Sequence, residues 1–177
     1  MSHYFFRETG SDGFMSNFFP TTFEKDGNTF TSSEQAFMYD KCRRFDPDNA
    51  RMLRLILSEH NPKKVKALGR KVRNYDETIW CAVRFDTMVD ILRCKFAYNA
   101  EIRGALLQTG SKVLYEASPY DRIWGIGYGK REAQHIDPER FGENLLGKAL
   151  MKVRSELNIQ AVVRAYEFQG WNDKLHK

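Results

Sequence analysis

The stretch "DETIWCAVRFDTMVDILRCKFAYN", Asp76 to Asn99, constrains the fold most. It reads as one long helix, with Trp80, Val83, Ile91 and Lys95 close to one face. Its neighbours read as shorter helices with their own start signals. "TSSE" is a capping-box pattern, with Thr31 as cap and Glu34 three residues later. "DPDNARMLRLIL" opens on Asp46 and Pro47, and "NPKKVKALGR" opens on Asn61 and Pro62 with Gly69 as its stop. "NAEIRGALLQTG" is a short helix that stops at Gly110. "ENLLGKALMKVRSEL" is amphipathic, with Leu146, Leu150, Val153 and Leu157 inward. Strands are few. The first thirty residues look like strands and turns, with a hairpin signal at Asp26-Gly27, and "KVLYEAS" reads as one more strand. This order is helix-rich α+β, not the alternation of a doubly wound parallel sheet. The 177 residues show no internal repeat and no Pro/Ser-rich linker, so one compact domain, 1–177, is expected.

Composition removes several function classes. Apolar residues make up 42% and charged residues 29%, a globular balance. No apolar run approaches the roughly 18 residues of a membrane helix, so no membrane partner is expected. "MSHYFFRETG" lacks the basic-then-apolar pattern of a signal peptide. Cys42, Cys81 and Cys94 are odd in number and widely spaced, which suits reduced thiols in an intracellular, cytoplasmic protein, or a nuclear one in a eukaryote. His3, His60, His135 and His176 are scattered, and neither a metal site nor a cofactor is expected. The net charge of +5 is uneven: Arg43 to Arg73 carries an excess of seven positive charges, leaving −2 elsewhere. A solvated helical face explains this, and so does a surface for nucleic-acid phosphates.

Four places are overspecified for structure alone. "FMSNFFP" clusters aromatics around Asn17 and Phe18 in what should be a turn; a packed strand is the plainer reading. "SSEQAFMYDKC" sets Glu34 and Lys41 seven residues apart, about two helical turns, on one face with Phe37 and Met38 between them. The plainer readings are a capping glutamate and a snorkelling lysine. "SPYDRIWGIGYG" places Asp121 and Trp124 before Gly125 and Gly127. That suits a loop around a phosphate or sugar, with an indole as stacking face. In "ENLLGKALM", Asn144 reads as a helix cap whose N-terminus can also receive an anion.

"MSNFFP", "SSEQAFMYDK", "KALGR", "KFAYNAEIRGALLQTG", "LYEASPYDRIWGIG" and "NLLGKALMKVRSEL" stand in the order of the NADAR (YbiA-like) family, which the chain resembles from about residue 14 to 157. The loop "YGKREAQHIDPERFGE" is longer than in short bacterial members. The resemblance implies a compact, helix-rich α+β fold. It also implies N-glycoside hydrolysis: members remove ADP-ribose from guanine bases, and some act on riboflavin-pathway intermediates.

That chemistry gives the Glu34–Lys41 pair a purpose. Cleaving an N-glycosidic bond builds positive charge on the anomeric carbon, which a carboxylate such as Glu34 stabilises, or it activates water. A lysine beside aromatics loses basicity, so Lys41 is either a nucleophile forming a Schiff base or a group that orients Glu34 or binds a ribose hydroxyl. Asp121 is a second proton carrier. Trp124, Phe18 and Trp80 are stacking candidates, Gly125, Gly127, Lys95 and Asn144 pyrophosphate candidates, and the basic segment the holder of an ADP-ribosylated strand. The rival readings are an N-glycosidase for aminopyrimidine ribose phosphates and a non-catalytic ADP-ribose reader. Oligomeric state is not legible.

Overall fold

A computed structural model describes residues 1–175; His176 lies outside them. The elements run β1 (Ser2–Phe5), a 3-10 turn (Gly13–Met15), β2 (Phe23–Lys25), β3 (Asn28–Phe30), α1 (Ser33–Phe45), α2 (Ala50–Ser58), α3 (Pro62–Gly69) and α4 (Glu77–Tyr98). They continue with α5 (Ala100–Gln108), β4 (Val113–Glu116), the single turn α6 (Lys130–Ala133), a 3-10 turn (Pro138–Arg140) and α7 (Leu145–Leu175). The fold is α+β and helix-rich. β2 and β3 form the expected antiparallel hairpin, and positive φ at both Asp26 (52°) and Gly27 (74°) gives the primed turn that matches strand twist. β1 and β4 pair in parallel, Ser2 opposite Val113 through Phe5 opposite Glu116. That one parallel pair joins the chain's start to its second half without building a doubly wound sheet.

α4 is the central element. Its Met88, Val89, Ile91, Leu92 and Phe96 are buried against a core that includes Phe14, Phe37, Leu146, Leu150 and Val153. Leu157 is partly buried on that same core. Asp76 caps α4 by accepting the Ile79 N–H at 2.9 Å, and Asn61 caps α3 through the Lys63 and Lys64 N–H groups.

Three of the expected helix signals sit elsewhere. The cap of α1 is Ser32, not Thr31: Ser32 Oγ accepts the Gln35 N–H at 3.2 Å. Gln35, not Glu34, is therefore the third helical residue, and its Oε1 reaches back to the Thr31 N–H at 2.7 Å. Asp46 closes α1 rather than opening α2; it is gripped by Arg73 through two bonds of 3.0 and 2.9 Å, and Asn49 caps α2. Gly69 ends α3 without a left-handed φ. It serves close packing, since a Cβ there would overlap the Met38 sulfur.

Lys95 also departs from expectation. It is wholly buried, and its Nζ donates to the carbonyls of Phe14 (2.7 Å) and Ser16 (3.2 Å). It ties the Phe14–Ser16 turn to α4 and presents nothing to a pyrophosphate. Burial pulls its pKa down to about 7. A base depressed in the folded state contributes its full stability above the ordinary pKa of 10.5 and loses it as pH falls through about 7. Lys95→Met strands two buried carbonyls and is expected to cost about 2 kcal/mol or more in denaturant unfolding. The same titrations are expected to show less rise in stability between about pH 7 and 10 than the wild type shows.

Candidate active site

The site gathers at the start of α1. Asn17 accepts the Glu34 N–H on its backbone oxygen at 3.0 Å, so the turn held by Lys95 also holds the first residues of that helix. Glu34 is 4% exposed. Its Oε1 is shielded from solvent and has no hydrogen-bond partner among the described residues, and the same holds for Asn17 Oδ1, Ser33 Oγ and Glu116 Oε2. Buried polar atoms are almost always partnered, so these unpartnered atoms single out the start of α1 and the end of β4 as the candidate ligand site. Burial drives the Glu34 pKa up to about 7, against the opposing pull of Lys66, Arg70 and Lys41 and with some help from Asp121.

Lys41 is half-buried, with Nζ 3.9 Å from the centroid of the Tyr75 ring. Its pKa is lowered, chiefly by burial and further by Arg70, although Glu77 and Glu34 push the other way. Glu34 and Lys41 thus feel each other's charge, but no hydrogen bond reaches Glu34 Oε1. Phe18 is half-buried, and Lys66 Nζ lies 5.7 Å from its ring centroid.

The glycine loop forms the opposite wall. Asp121 Oδ1 accepts the N–H groups of Ile123 and Trp124, each at 2.8 Å, which fixes the loop and leaves its negative charge acting on Glu34 and Glu116. Trp124 is half-buried and meets Phe37 edge-to-face at 5.1 Å, so part of its indole is open.

Several candidates prove to be supports. Trp80 is 5% exposed, packed on Phe37 at 4.8 Å and near Phe45 at 6.1 Å; it backs Phe37, which in turn backs Trp124, and has no face free for a base. Asn144 is buried in a left-handed conformation (φ 52°). Its Oδ1 accepts the Glu116 N–H at 3.0 Å and its Nδ2 donates to the Leu114 carbonyl at 2.8 Å. It clasps the edge of β4 and is not an anion ligand. Gly125 lets the loop lie against β4, since a Cβ there would come 2.9 Å from the Glu116 carbonyl oxygen. Gly127 is needed for its φ of 76°.

Three residues escaped the sequence reading as site members: Lys66, Arg70 and Glu116. Period two along β4 was the available signal for Glu116, because it puts Glu116 on the same side as the fully buried Leu114. For Lys66 and Arg70 it was their i, i+4 spacing at the end of α3, where Arg70 is the C-cap. A charged cleft of about 440 Å³ beside Lys25, Asp40, Arg43 and Arg44 is lined by none of these groups. Its Lys25 is already paired with Asp26 and Asp40. No cluster of metal-ligating side chains occurs among the described residues.

The NADAR domain family matches residues 4–158. An N-glycosidase of Acanthamoeba polyphaga mimivirus is 40% identical over 147 residues, 80% of this chain and 85% of that protein. An N-glycosidase of Nostoc punctiforme is 31% identical over 168 residues, covering 94% of this chain and all of the relative. The NMR structure of the E. coli protein YbiA superposes with a TM-score of 0.74 at 28% identity, covering 92% of this chain and 89% of that one.

The raised Glu34 pKa has a consequence for stability. A carboxyl raised in the folded state favours folding fully below its ordinary pKa of 4.5, and that contribution is lost as pH rises through about 7. Glu34→Gln stays neutral throughout. Its melting temperature relative to wild type is therefore expected to improve by roughly 2–5 °C between about pH 5 and pH 8.5. The same difference from wild type at both pH values would instead mark a residue that does not titrate between them.

Proposed function

The chain belongs to the NADAR family, and from that premise we propose that it hydrolyses an N-glycosyl bond, releasing ADP-ribose from guanine bases of nucleic acid. Glu34 carries this reading. It is a desolvated carboxyl with an orphaned oxygen, within electrostatic reach of Lys66, Arg70 and Lys41. As the C1′–N bond lengthens, positive charge collects on the sugar. An ionised Glu34 in a low-dielectric pocket stabilises that charge and takes a proton from the attacking water. Phe18 and Trp124 offer faces to the bases, and Lys66 and Arg70 offer charge to the pyrophosphate.

The lowered basicity of Lys41 favours a second route through the same site. A ring-opened imine at guanine N2 exchanges with the Lys41 amine, expelling the guanine amine and leaving a Schiff base that water hydrolyses. Outside the site, the exposed Arg51, Arg54, Lys63, Lys64 and Lys71 on and around α2 and α3 suit a phosphate backbone. A smaller substrate, an aminopyrimidine ribose phosphate, would need only the pocket. A Vibrio vulnificus relative named a riboflavin biosynthesis protein motivates that alternative; it is 30% identical, and this chain spans 41% of its length.

The test is incubation with a guanine-ADP-ribosylated oligonucleotide and mass spectrometry for free ADP-ribose. Wild type is expected to release it, and Glu34→Gln to lose at least about 100-fold in rate while remaining folded. Binding without release would make the chain a reader, and near-wild-type turnover by the variant would remove Glu34 from the chemistry. Borohydride added during turnover distinguishes the routes: an adduct mapping to Lys41, together with an inactive Lys41→Arg, marks the amine route. No adduct and a partly active Lys41→Arg leave attack by water.

Salt tests the basic helices. Affinity for the modified oligonucleotide is expected to fall steeply from low to physiological salt, and affinity for free ADP-ribose much less. Equal slopes for the two ligands would assign that charge to a merely solvated face.

A further inference from the structure

We propose that Glu116 is the proton donor to the departing base, working opposite Glu34 in the same pocket; this rests on the N-glycosidase reading above. The main chain of Glu116 is locked on both sides. Its N–H donates to Asn144 Oδ1 at 3.0 Å, and its carbonyl accepts the Ile126 N–H at 2.9 Å. Asn144 is itself anchored one strand residue pair away, on the Leu114 carbonyl at 2.8 Å. The side chain, by contrast, is left over: Oε2 is shielded from solvent and meets no hydrogen-bond partner among the described residues. A carboxyl kept only for structure would be paired or bonded, because burying it otherwise costs stability. The charged groups acting on it are Asp121 from the loop, Lys66 from α3 and Glu34 from α1. Charges from three separate elements therefore reach a group that the fold itself does not use.

The protonation states fit the division of labour. Burial, then the charges of Asp121 and Glu34, hold Glu116 protonated up to about 8, against the pull of Lys66. Glu34, eased by Lys66, Arg70 and Lys41, ionises at about 7. Glu116 is raised further than Glu34, so the singly ionised pair favours the proton on Glu116 and the charge on Glu34, which is how two neighbouring carboxyls become an acid and a base. In the reaction the C1′–N bond breaks and its electron pair stays on the base nitrogen, which takes the proton from Glu116. The water oxygen bonds to C1′, and its proton goes to Glu34. Proton transfer from Glu34 to Glu116, directly or through solvent, restores the starting state, and one water has been added across one bond.

The experiment compares Glu116→Gln with wild type on two substrates. One is a guanine-ADP-ribosylated oligonucleotide. The other is the same oligonucleotide methylated at guanine N7, whose cationic base can depart as a neutral betaine, protonated afterwards by solvent, and so depends far less on a proton donor. On the first, the variant is expected to lose about 100-fold or more in released ADP-ribose, and on the second to stay within about fivefold of wild type. The alkaline limb of the wild-type pH–rate profile is expected to disappear in Glu116→Gln and to persist in Glu116→Asp, which keeps a titrating acid. Equal losses on both substrates, no loss on either, an alkaline limb that survives in Glu116→Gln, or one that vanishes in Glu116→Asp would each overturn the assignment alone. Wild-type protein that releases ADP-ribose from neither oligonucleotide would overturn the parent reading, and the proposal with it.

Discussion

The site depends on one buried amine. Lys95 Nζ, with no solvent around it, is satisfied by the carbonyls of Phe14 and Ser16. Those bonds fix the turn that follows β1, and the next residue, Asn17, receives the Glu34 N–H. The position of Glu34 is thus set from α4 through a short relay of hydrogen bonds, in addition to its own helix. A lysine is unusual in this place because it sacrifices hydration of a charge. Depressing its pKa to about 7 lets the amine sit largely neutral above neutrality while still offering donors to both carbonyls.

The opposite wall is fixed by a second relay that uses close backbone approach instead of a long side chain. Gly125 lies against the Glu116 carbonyl, and Gly147 brings α7 up to the Leu114 carbonyl, where any side chain would clash. Asn144, in a conformation that asparagine tolerates better than most residues, then bonds β4 as a further strand would. The glycine-rich loop is shaped by these packing demands. The side chain it leaves half-open is Trp124, which the loop holds against Phe37 and, behind it, Trp80.

The elements were legible where a local rule decides them. The Asp26-Gly27 hairpin needs only a turn with two positive φ values, and the Asn61 cap needs only an orphan N–H within reach. Rules failed where two candidates compete at adjacent positions. Thr31 and Ser32 both offer a hydroxyl, and tertiary packing chose Ser32, which released Glu34 from capping. Asp46 resembles a cap for the next helix, but the distant Arg73 claims it. Periodicity also says that a residue points inward, not what inward contains. Trp80, Lys95, Glu34 and Glu116 all point in; the first two end in closed core, the last two in a pocket with unpartnered oxygens.

That distinction bears on how a cleft with three acidic groups would receive the anionic diphosphate of the proposed substrate. Lys41, Lys66 and Arg70 stand against Glu34, Glu116 and Asp121, so full ionisation would leave no net attraction. Burial removes one negative charge: Glu116 keeps its proton until about pH 8, and the pocket carries a net positive charge near neutrality. The remaining acids are divided in position. Asp121 is spent on the loop's own N–H groups, and Glu34 lies at the buried start of α1. A pyrophosphate held by Lys66 and Arg70 would meet cations, while a sugar carbon seated deeper would meet the carboxylate. One pocket can then attract a substrate's negative end and stabilise the positive charge its reaction creates, because Glu34 and Glu116 are dehydrated while Arg70 stays exposed and Lys66 only half-buried.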